Sequence, residues 1–434
     1  MIPTVERRIE IDSGEPVREL AGRLVRTGPA VILDGPAWSG GTLLGLAPRI
    51  VEQSHGSDEA LRRLSSLVAT RRREGGSGST GVVAVVGYEL FAPRGPDGVP
   101  AWTVFAIDRS LADDGSGPAV VARGAAAAET LDAVRRELDA SRLRGGPDPA
   151  PARATAAPRT SLPREAYLRA AARLLEHIAC GDVYQANLCQ RLTVPYEGDE
   201  LALHERIGRN RTAPHAAFVR GTGFSLVSAS PETFLRISAD RTVETFPIKG
   251  TRPRSDDPDL DRAAADELLR SAKDRAELLM IVDLERNDLA RVSEPGSVVV
   301  PEGCALRSYA TVHHLVATVR GRLRAEVDAA EIVRATFPGG SITGAPKRRA
   351  MELLRGIEPV RRGLFTGSLF WFGDDGRTDS SILIRSVVLD GRSASIGAGG
   401  GIVADSEPEA EWRESNHKAR ALCRALSFEP EEAS

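Results

Sequence analysis

Lysine is nearly missing from this 434-residue chain: it stands at positions 249, 273, 347 and 418, against 53 arginines. Arginine stays protonated at any accessible pH and cannot act as a nucleophile, whereas a lysine amine can once its surroundings lower its pKa. The four lysines are therefore worth inspecting one by one. Lys249, in Pro247-Ile248-Lys249-Gly250-Thr251, reads as part of a short turn after the strand-like Thr242 to Phe246, either a solvated surface group or a catalytic one on a rigid scaffold.

Other absences narrow the class. The four cysteines, Cys180, Cys189, Cys304 and Cys423, never form a Cys-x-x-Cys pair, which argues against a zinc site or a disulfide framework and for free thiols in a cytoplasmic setting. No stretch approaches the ~20 apolar residues of a membrane helix, and MIPTVERRIEIDSGEP has no apolar core of signal-peptide length, so neither membrane spanning nor secretion is expected. A net charge of −3 carries no basic excess, which excludes nucleic acid as the expected partner and leaves small anions open. Walker and dinucleotide fingerprints are both missing.

What is present reads as α+β. Residues 142–163 (RLRGGPDPAPARATAAPRTSLP), rich in Pro, Ala, Gly and Arg, read as a linker between an N-terminal region (1–141, possibly intertwined with the rest) and a larger domain (164–428). After it a helix from about Ser161 to Gly181 precedes a strand over 183–194, in which Gln185 and Asn187 share a face because the strand period is two. Further strands are predicted at 215–220, 224–229, 233–238, 242–246, 297–301, 312–323, 366–372, 379–389 and 393–398. Helices are predicted near 199–210, 257–271, 273–290, 328–336, 346–356 and 407–426.

Two helices concentrate carboxylates. In 407–426, with Ser406 and Glu409 at capping-box spacing, Glu407, Glu411, Glu414 and Lys418 follow at intervals of four, three and four and share a face. In 273–290, Asp274 and Glu277 precede the apolar run Leu278 to Val282. Such carboxylates form either a solvated ion-paired face or a partly buried set, and a buried set needs a partner such as Mg²⁺. Glycine-rich turns are read at 338–346 and at 397–401, where backbone N–H groups could approach an anion. His313 and His314 alternate faces on a strand, so only one of them can serve a given site.

DVYQANLCQRL (182–192), SASPETFLRI (228–237), PIKGTRPR (247–254), AELLMIVDLERNDLARV (276–292), HHLVATVRGRL (313–323), FPGGSITGAPKRRAMELL (337–354) and GAGGGIVADSEPEAEWRESNHKA (397–419) resemble, in order and spacing, the chorismate-utilising enzymes. The resemblance covers about 160–426, with GYEL (87–90) before it, and within the family it is to the component I branch of the aminodeoxychorismate synthases. It implies two packed antiparallel β-sheets flanked by helices, with chorismate and Mg²⁺ in a cleft. Position by position, it implies Glu277 and Glu414 as metal ligands supported by Glu411 and Asp274. Arg385, Lys418 and the backbone of Gly399, Gly400 and Gly401 would receive carboxylates, Thr251 and His314 would line the site, and Glu232 would be the general acid. Family members that add water carry a lysine where this chain has Gln185, and anthranilate synthases usually carry alanine where it has Lys249.

The resemblance therefore implies Lys249 as a covalent nucleophile in forming 4-amino-4-deoxychorismate, a precursor of 4-aminobenzoate for folate or for a specialised route. Anthranilate synthase component I is the alternative activity, and a non-catalytic ligand-binding subunit the alternative of a different class. No cysteine stands in a Gly-x-Cys-x-Gly elbow, so ammonia implies a separate glutaminase (glutamine amidotransferase) partner. Phe365 stands where tyrosine is common, Ala290 where glycine is frequent, and Gly35 where a serine-bearing tryptophan-binding motif is expected.

Overall fold

A computed structural model describes residues 6–10, 17, 24–25, 28–35, 38, 41–54, 57–91, 99–113, 118–124, 129, 132–133, 135–136, 139, 150–208, 213–309 and 312–430. The first part contains β1 (Glu6–Glu10), β2 (Ala30–Asp34), β3 (Thr42–Gly45), β4 (Arg49–Ser54), α1 (Asp58–Glu74), β5 (Gly81–Val86), β6 (Trp102–Ile107), β7 (Arg109–Asp113) and β8 (Pro118–Arg123). Then follow β9 (Arg153–Ala154), β10 (Arg159–Thr160), α2 (Arg164–Ala179), β11 (Gln185–Glu197), α3 (Glu200–Gly208), β12 (His215–Gly221), β13 (Phe224–Ser230), β14 (Thr233–Ile237), β15 (Thr242–Thr245) and β16 (Ile248–Pro253). The remainder comprises α4 (Pro258–Arg270), α5 (Ala272–Ala290), β17 (Val299–Ser308), β18 (Val312–Arg322), α6 (Ala329–Thr336), β19 (Gly344–Ala345) and α7 (Lys347–Ile357). It ends with β20 (Ser368–Gly373), β21 (Thr378–Ile382), β22 (Ser386–Leu389), β23 (Ser393–Ile402) and α8 (Pro408–Ala425).

The strands form two antiparallel sheets. One runs β1-β8-β7-β3-β2-β12-β13-β22-β23-β11-β10, with β9 and β19 also on β11; the other runs β16-β18-β15-β14-β21-β20-β5-β6-β4, with β17 on β18. Central strands such as β5 and β20 are buried on both faces, which is why they read as unbroken apolar runs. In β5, Val83 and Val85 face an inner core shared with Val31 and Leu33 of β2, while Val82, Ala84 and Val86 join an outer core under α1 and α5. In β2, Ala30 and Ile32 point the other way, into the core that includes Leu422 and Cys423 of α8. Period-two alternation thus builds helices, sheet, sheet and helices in layers.

Both sheets take strands from either side of the segment read as a linker. Residues 142–149 lie outside the described residues, and 150–163 run along β11: Ala154 and Arg153 pair with Tyr196 and Glu197, and Thr160 with Leu192. The apolar interior of a two-sheet fold reaches even here, burying Ala152 completely.

Four local readings differ from the structure. The turn containing Lys249 is strand β16, paired with β18 and bulged at Gly250, whose φ of 67° favours glycine. The 397–401 turn is instead the end of β23, in register with β11 from Ala186↔Ile402 onward. The capping box at Ser406 does not form: the N-cap of α8 is Glu407 with no side-chain cap bond, and the Ser406 hydroxyl turns to Glu411 at 2.6 Å. The 379–389 strand is two, β21 in one sheet and β22 in the other.

Candidate active site

The chain crosses between sheets at Ser230-Pro231-Glu232, from β13 to β14, and again at Leu383-Ile384-Arg385, from β21 to β22. The crossings are tied together: the Ile382 N–H donates to the Glu232 carbonyl at 3.1 Å, the Ala229 N–H to the Arg385 carbonyl at 3.0 Å, and the Ser230 hydroxyl to the Ile382 carbonyl at 2.6 Å. Arg385 sits at φ 51°, a left-handed conformation costly for a non-glycine residue and held here by that lattice of bonds.

Glu232 is buried and accepts a hydrogen bond from the Ser341 hydroxyl at 2.6 Å. Burial pushes its carboxyl up; the Ser341 bond and the charges of Lys249 and Lys418 pull against that without cancelling it. Ser341 lies in the FPGGSITGAPK segment, but its bond to Glu232 has no signature in the sequence. Burial likewise pushes the Lys249 amine down, with Lys418 acting in the same direction and Glu277, Glu232 and Glu414 opposing. Two groups that ordinarily face each other as carboxylate and ammonium are thus both biased toward their neutral forms.

Gly399, Gly400 and Gly401 lie opposite Cys189, Leu188 and Asn187 of β11. A Cβ on Gly399 would stand 2.3 Å from the Leu188 carbonyl, and one on Gly401 2.8 Å from the Gln185 amide nitrogen. Both polar atoms of that fully buried amide lack a partner among the described residues. A buried unsatisfied amide is costly unless a ligand or water meets it. A Cβ on Gly400 would lie 3.1 Å from Glu411 Oε2, 3.6 Å from Lys418 Nζ and 3.9 Å from Glu414 Oε1.

In this group of charges burial raises Glu277 and Glu411. Burial would raise Glu414 also, but Lys418, at 2.6 Å, outweighs it and holds the carboxyl low. Lys418 donates as well to the Gly399 carbonyl at 3.0 Å, and the Arg385 guanidinium donates to the Lys418 carbonyl. Asp274 is held by Arg252 at 3.1 Å. Among the described residues no three His, Cys, Asp or Glu side chains close on one point. Glu277, Glu411 and Glu414 nevertheless fit a hard divalent cation by donor type, because Mg²⁺ takes one or two protein carboxylates and completes its shell with substrate oxygen and water.

On β18, His314 Nδ1 lies 2.9 Å from Thr251 Oγ1 and 3.2 Å from the Gly250 carbonyl, while His313 turns away to Ser308 and Asp261 at 2.8 and 2.9 Å. Burial lowers the His314 pKa, the Gly250 carbonyl opposing it, which biases the ring toward its neutral form. Phe365 packs on Gly397, where a Cβ would come within 2.1 Å of its ring. The backbone of Gly399 to Gly401 is paired in the sheet on one edge, so its N–H groups are not all free to receive an anion, as a turn would have left them.

Comparison with known proteins follows the same line. A family model for chorismate binding enzymes matches residues 29–424. The chain is 46% identical over 272 residues to aminodeoxychorismate synthase component 1 of Klebsiella aerogenes, covering 63% of this chain and 60% of that one. It is 43% identical over 263 residues to an anthranilate synthase component 1 of Haloarcula marismortui, covering 61% and 54%. The matches thus span less than two thirds of these relatives' length. The fold alone is shared with MenF, a menaquinone-specific isochorismate synthase of Escherichia coli (TM-score 0.75, 17% identity, 98% and 95% covered), and with anthranilate synthase component I of Streptococcus pneumoniae (0.72, 23%, 97% and 93%). Among the described residues no helix is long and apolar enough to cross a membrane.

Proposed function

The chain belongs to the chorismate-binding enzymes, and from that membership we propose that it is the component I of an aminodeoxychorismate synthase. It would convert chorismate and ammonia to 4-amino-4-deoxychorismate. The observation that carries the reading is Lys249, half-buried with its amine pKa depressed, in electrostatic reach of both Glu232 and the carboxylates Glu277 and Glu414.

The Lys249 lone pair attacks C2 of the chorismate ring while the C4–oxygen bond breaks, and Glu232 gives its proton to the departing oxygen, which leaves as water. Ammonia then attacks C4, the bond from C2 to the lysine nitrogen breaks, and the surplus proton of the new ammonium returns to the Glu232 carboxylate. The enolpyruvyl group stays on the ring throughout. Mg²⁺, held by Glu277 and Glu414 with Glu411 and Asp274 beside them, would fix the ring carboxylate and offset charge shifted onto it. Arg385 and Lys418 supply positive charge for the substrate's carboxylates, and Thr251 and His314 line the approach. The unpartnered Gln185 amide offers a donor and an acceptor but no base that could activate water.

The name component 1 carried by the relatives supports a partner component, and a glutaminase supplying ammonia fits the reaction. The similar anthranilate synthase keeps a second product in view, because that reaction aromatises the ring and releases pyruvate. Incubation of the purified chain with chorismate, Mg²⁺ and ammonium, followed by chromatography with mass detection, separates the two. We expect 4-aminobenzoate only when an aminodeoxychorismate lyase is added. Anthranilate and pyruvate without lyase would replace the assignment, and no turnover at all would favour a non-catalytic ligand-binding subunit.

A further inference from the structure

The far end of α5 carries a carboxyl that this reaction does not use. Glu285 is 8% exposed, and its Oε2 lies 2.9 Å from Thr245 Oγ1. The same hydroxyl lies 2.9 Å from the Phe234 carbonyl. A hydroxyl has one proton, a carbonyl only accepts, and so does an ionised carboxylate. With Glu285 ionised, two buried acceptors would compete for one proton and one contact would be a repulsion. With a proton on Glu285, its O–H donates to Thr245 Oγ1, the Thr245 proton goes to the Phe234 carbonyl, and both contacts are hydrogen bonds.

The ionisable groups facing Glu285 are Glu232 from the sheet crossing, Asp288 on its own helix and Lys347 from α7. The two acids favour the neutral form. Lys347 is engaged elsewhere, with Asp288 Oδ2 at 2.5 Å and the Thr336 carbonyl at 2.9 Å. Burial then pushes the Glu285 carboxyl up to about 8, in agreement with the proton count.

The junction is placed where three parts of the site meet. Thr245 precedes Lys249 by one short stretch of chain, Phe234 lies just past Glu232, and Glu285 shares a helix with Glu277. We propose that Glu285 is carried as the neutral acid and is a positioning residue, completing a proton chain through Thr245 to Phe234 that fixes relative to one another β15, which leads into the Lys249 strand, β14, which follows Glu232, and the Glu277 helix α5. Its consequence for turnover rests on the reaction proposed above; its protonation does not.

Infrared difference spectra of wild type against Glu285→Gln test the proton directly. The expected result is a protonated-carboxyl band at neutral pH that is absent from the variant and bleaches as pH passes about 8. Thr245→Val, which removes the acceptor of the Glu285 O–H, should shift that band. The glutamine amide can still donate to Thr245, so Glu285→Gln should keep kcat near that of wild type, while Thr245→Val should lower it by up to ~10²-fold with little change in KM. A neutral-pH spectrum with no band lost in Glu285→Gln, or a band that Thr245→Val leaves unmoved, overturns the proposal. Kinetics in which Glu285→Gln loses as much kcat as Thr245→Val would also overturn it. If the wild type does not turn chorismate over, the reaction proposal falls while the infrared outcomes still decide the protonation of Glu285.

Discussion

Lys249 and Glu232 must both be neutral at the start of the proposed reaction, against the ordinary habit of lysine and glutamate at neutral pH. Their surroundings move each in the needed direction, burial being the largest cause for both. The sign for Lys249 is plain: below its depressed pKa the amine is an ammonium without a lone pair, so the rate should rise with pH toward that value. The acid limb of kcat/KM against pH should therefore lie below the ordinary lysine range, and an acid limb placed at that ordinary range would contradict the depressed amine. Glu232→Gln keeps the shape and loses the proton, and should lower kcat by ~10²–10⁴-fold in steady-state assays with little change in chorismate binding. At this scale the sequence marked Lys249 by the rarity of its type and Glu232 by its motif. Ser341, Arg252 and Glu285 were not marked, because a serine in a glycine loop or a glutamate in a helix looks the same whether it meets solvent or a buried acid.

At the scale of elements, the reading succeeded where hydrophobic alternation runs unbroken, as in β12, β13 and β18, and failed where glycine or proline carried a second meaning. Gly250 looked like turn chemistry but allows a bulge within β16. The run Gly399 to Gly401 looked like a loop, yet its glycines exist because neighbours on β11 and α8 come too close for side chains. Two substitutions separate these roles. Gly399→Ala places a methyl against the Leu188 carbonyl and should cost about 1–3 kcal/mol of stability by overpacking, seen as a lower urea midpoint. Gly400→Ala meets only the movable tips of Glu411, Lys418 and Glu414, so it should leave the midpoint near wild type while raising the Mg²⁺ concentration needed for half-maximal activity. An unchanged Mg²⁺ titration would count against these carboxylates as the metal's holders.

At the scale of the whole molecule, the two-sheet α+β architecture was legible from strand runs and motif order, but the division at 142–163 was a matter of composition, and composition does not say which strands will pair. The N-terminal region is bound into the site's support through Arg362. Its buried guanidinium donates to Glu358 at 2.7 Å, to the Asn187 carbonyl at 2.6 Å and to the Ile342 carbonyl at 2.8 Å, and stacks 4.4 Å from the Tyr88 ring centroid. Glu89 accepts from the Arg362 and Gly363 backbone N–H groups at 2.7 and 3.0 Å. The GYEL segment is thereby tied to β11 and the 337–346 loop. Arg362→Ala leaves Glu358 buried without its cation and should cost about 3–5 kcal/mol in urea unfolding. A loss under about 1 kcal/mol would mean that the network is not what joins the two regions.

The central claim is that the Lys249 amine makes the amination at C4 possible, and one comparison tests it most directly. Wild type and Lys249→Ala, both verified as folded, are given chorismate, Mg²⁺ and ammonium with excess lyase, and 4-aminobenzoate is quantified by mass. The account predicts steady formation by the wild type and loss to background in Lys249→Ala. Equal formation by both would contradict it and remove Lys249 as the nucleophile.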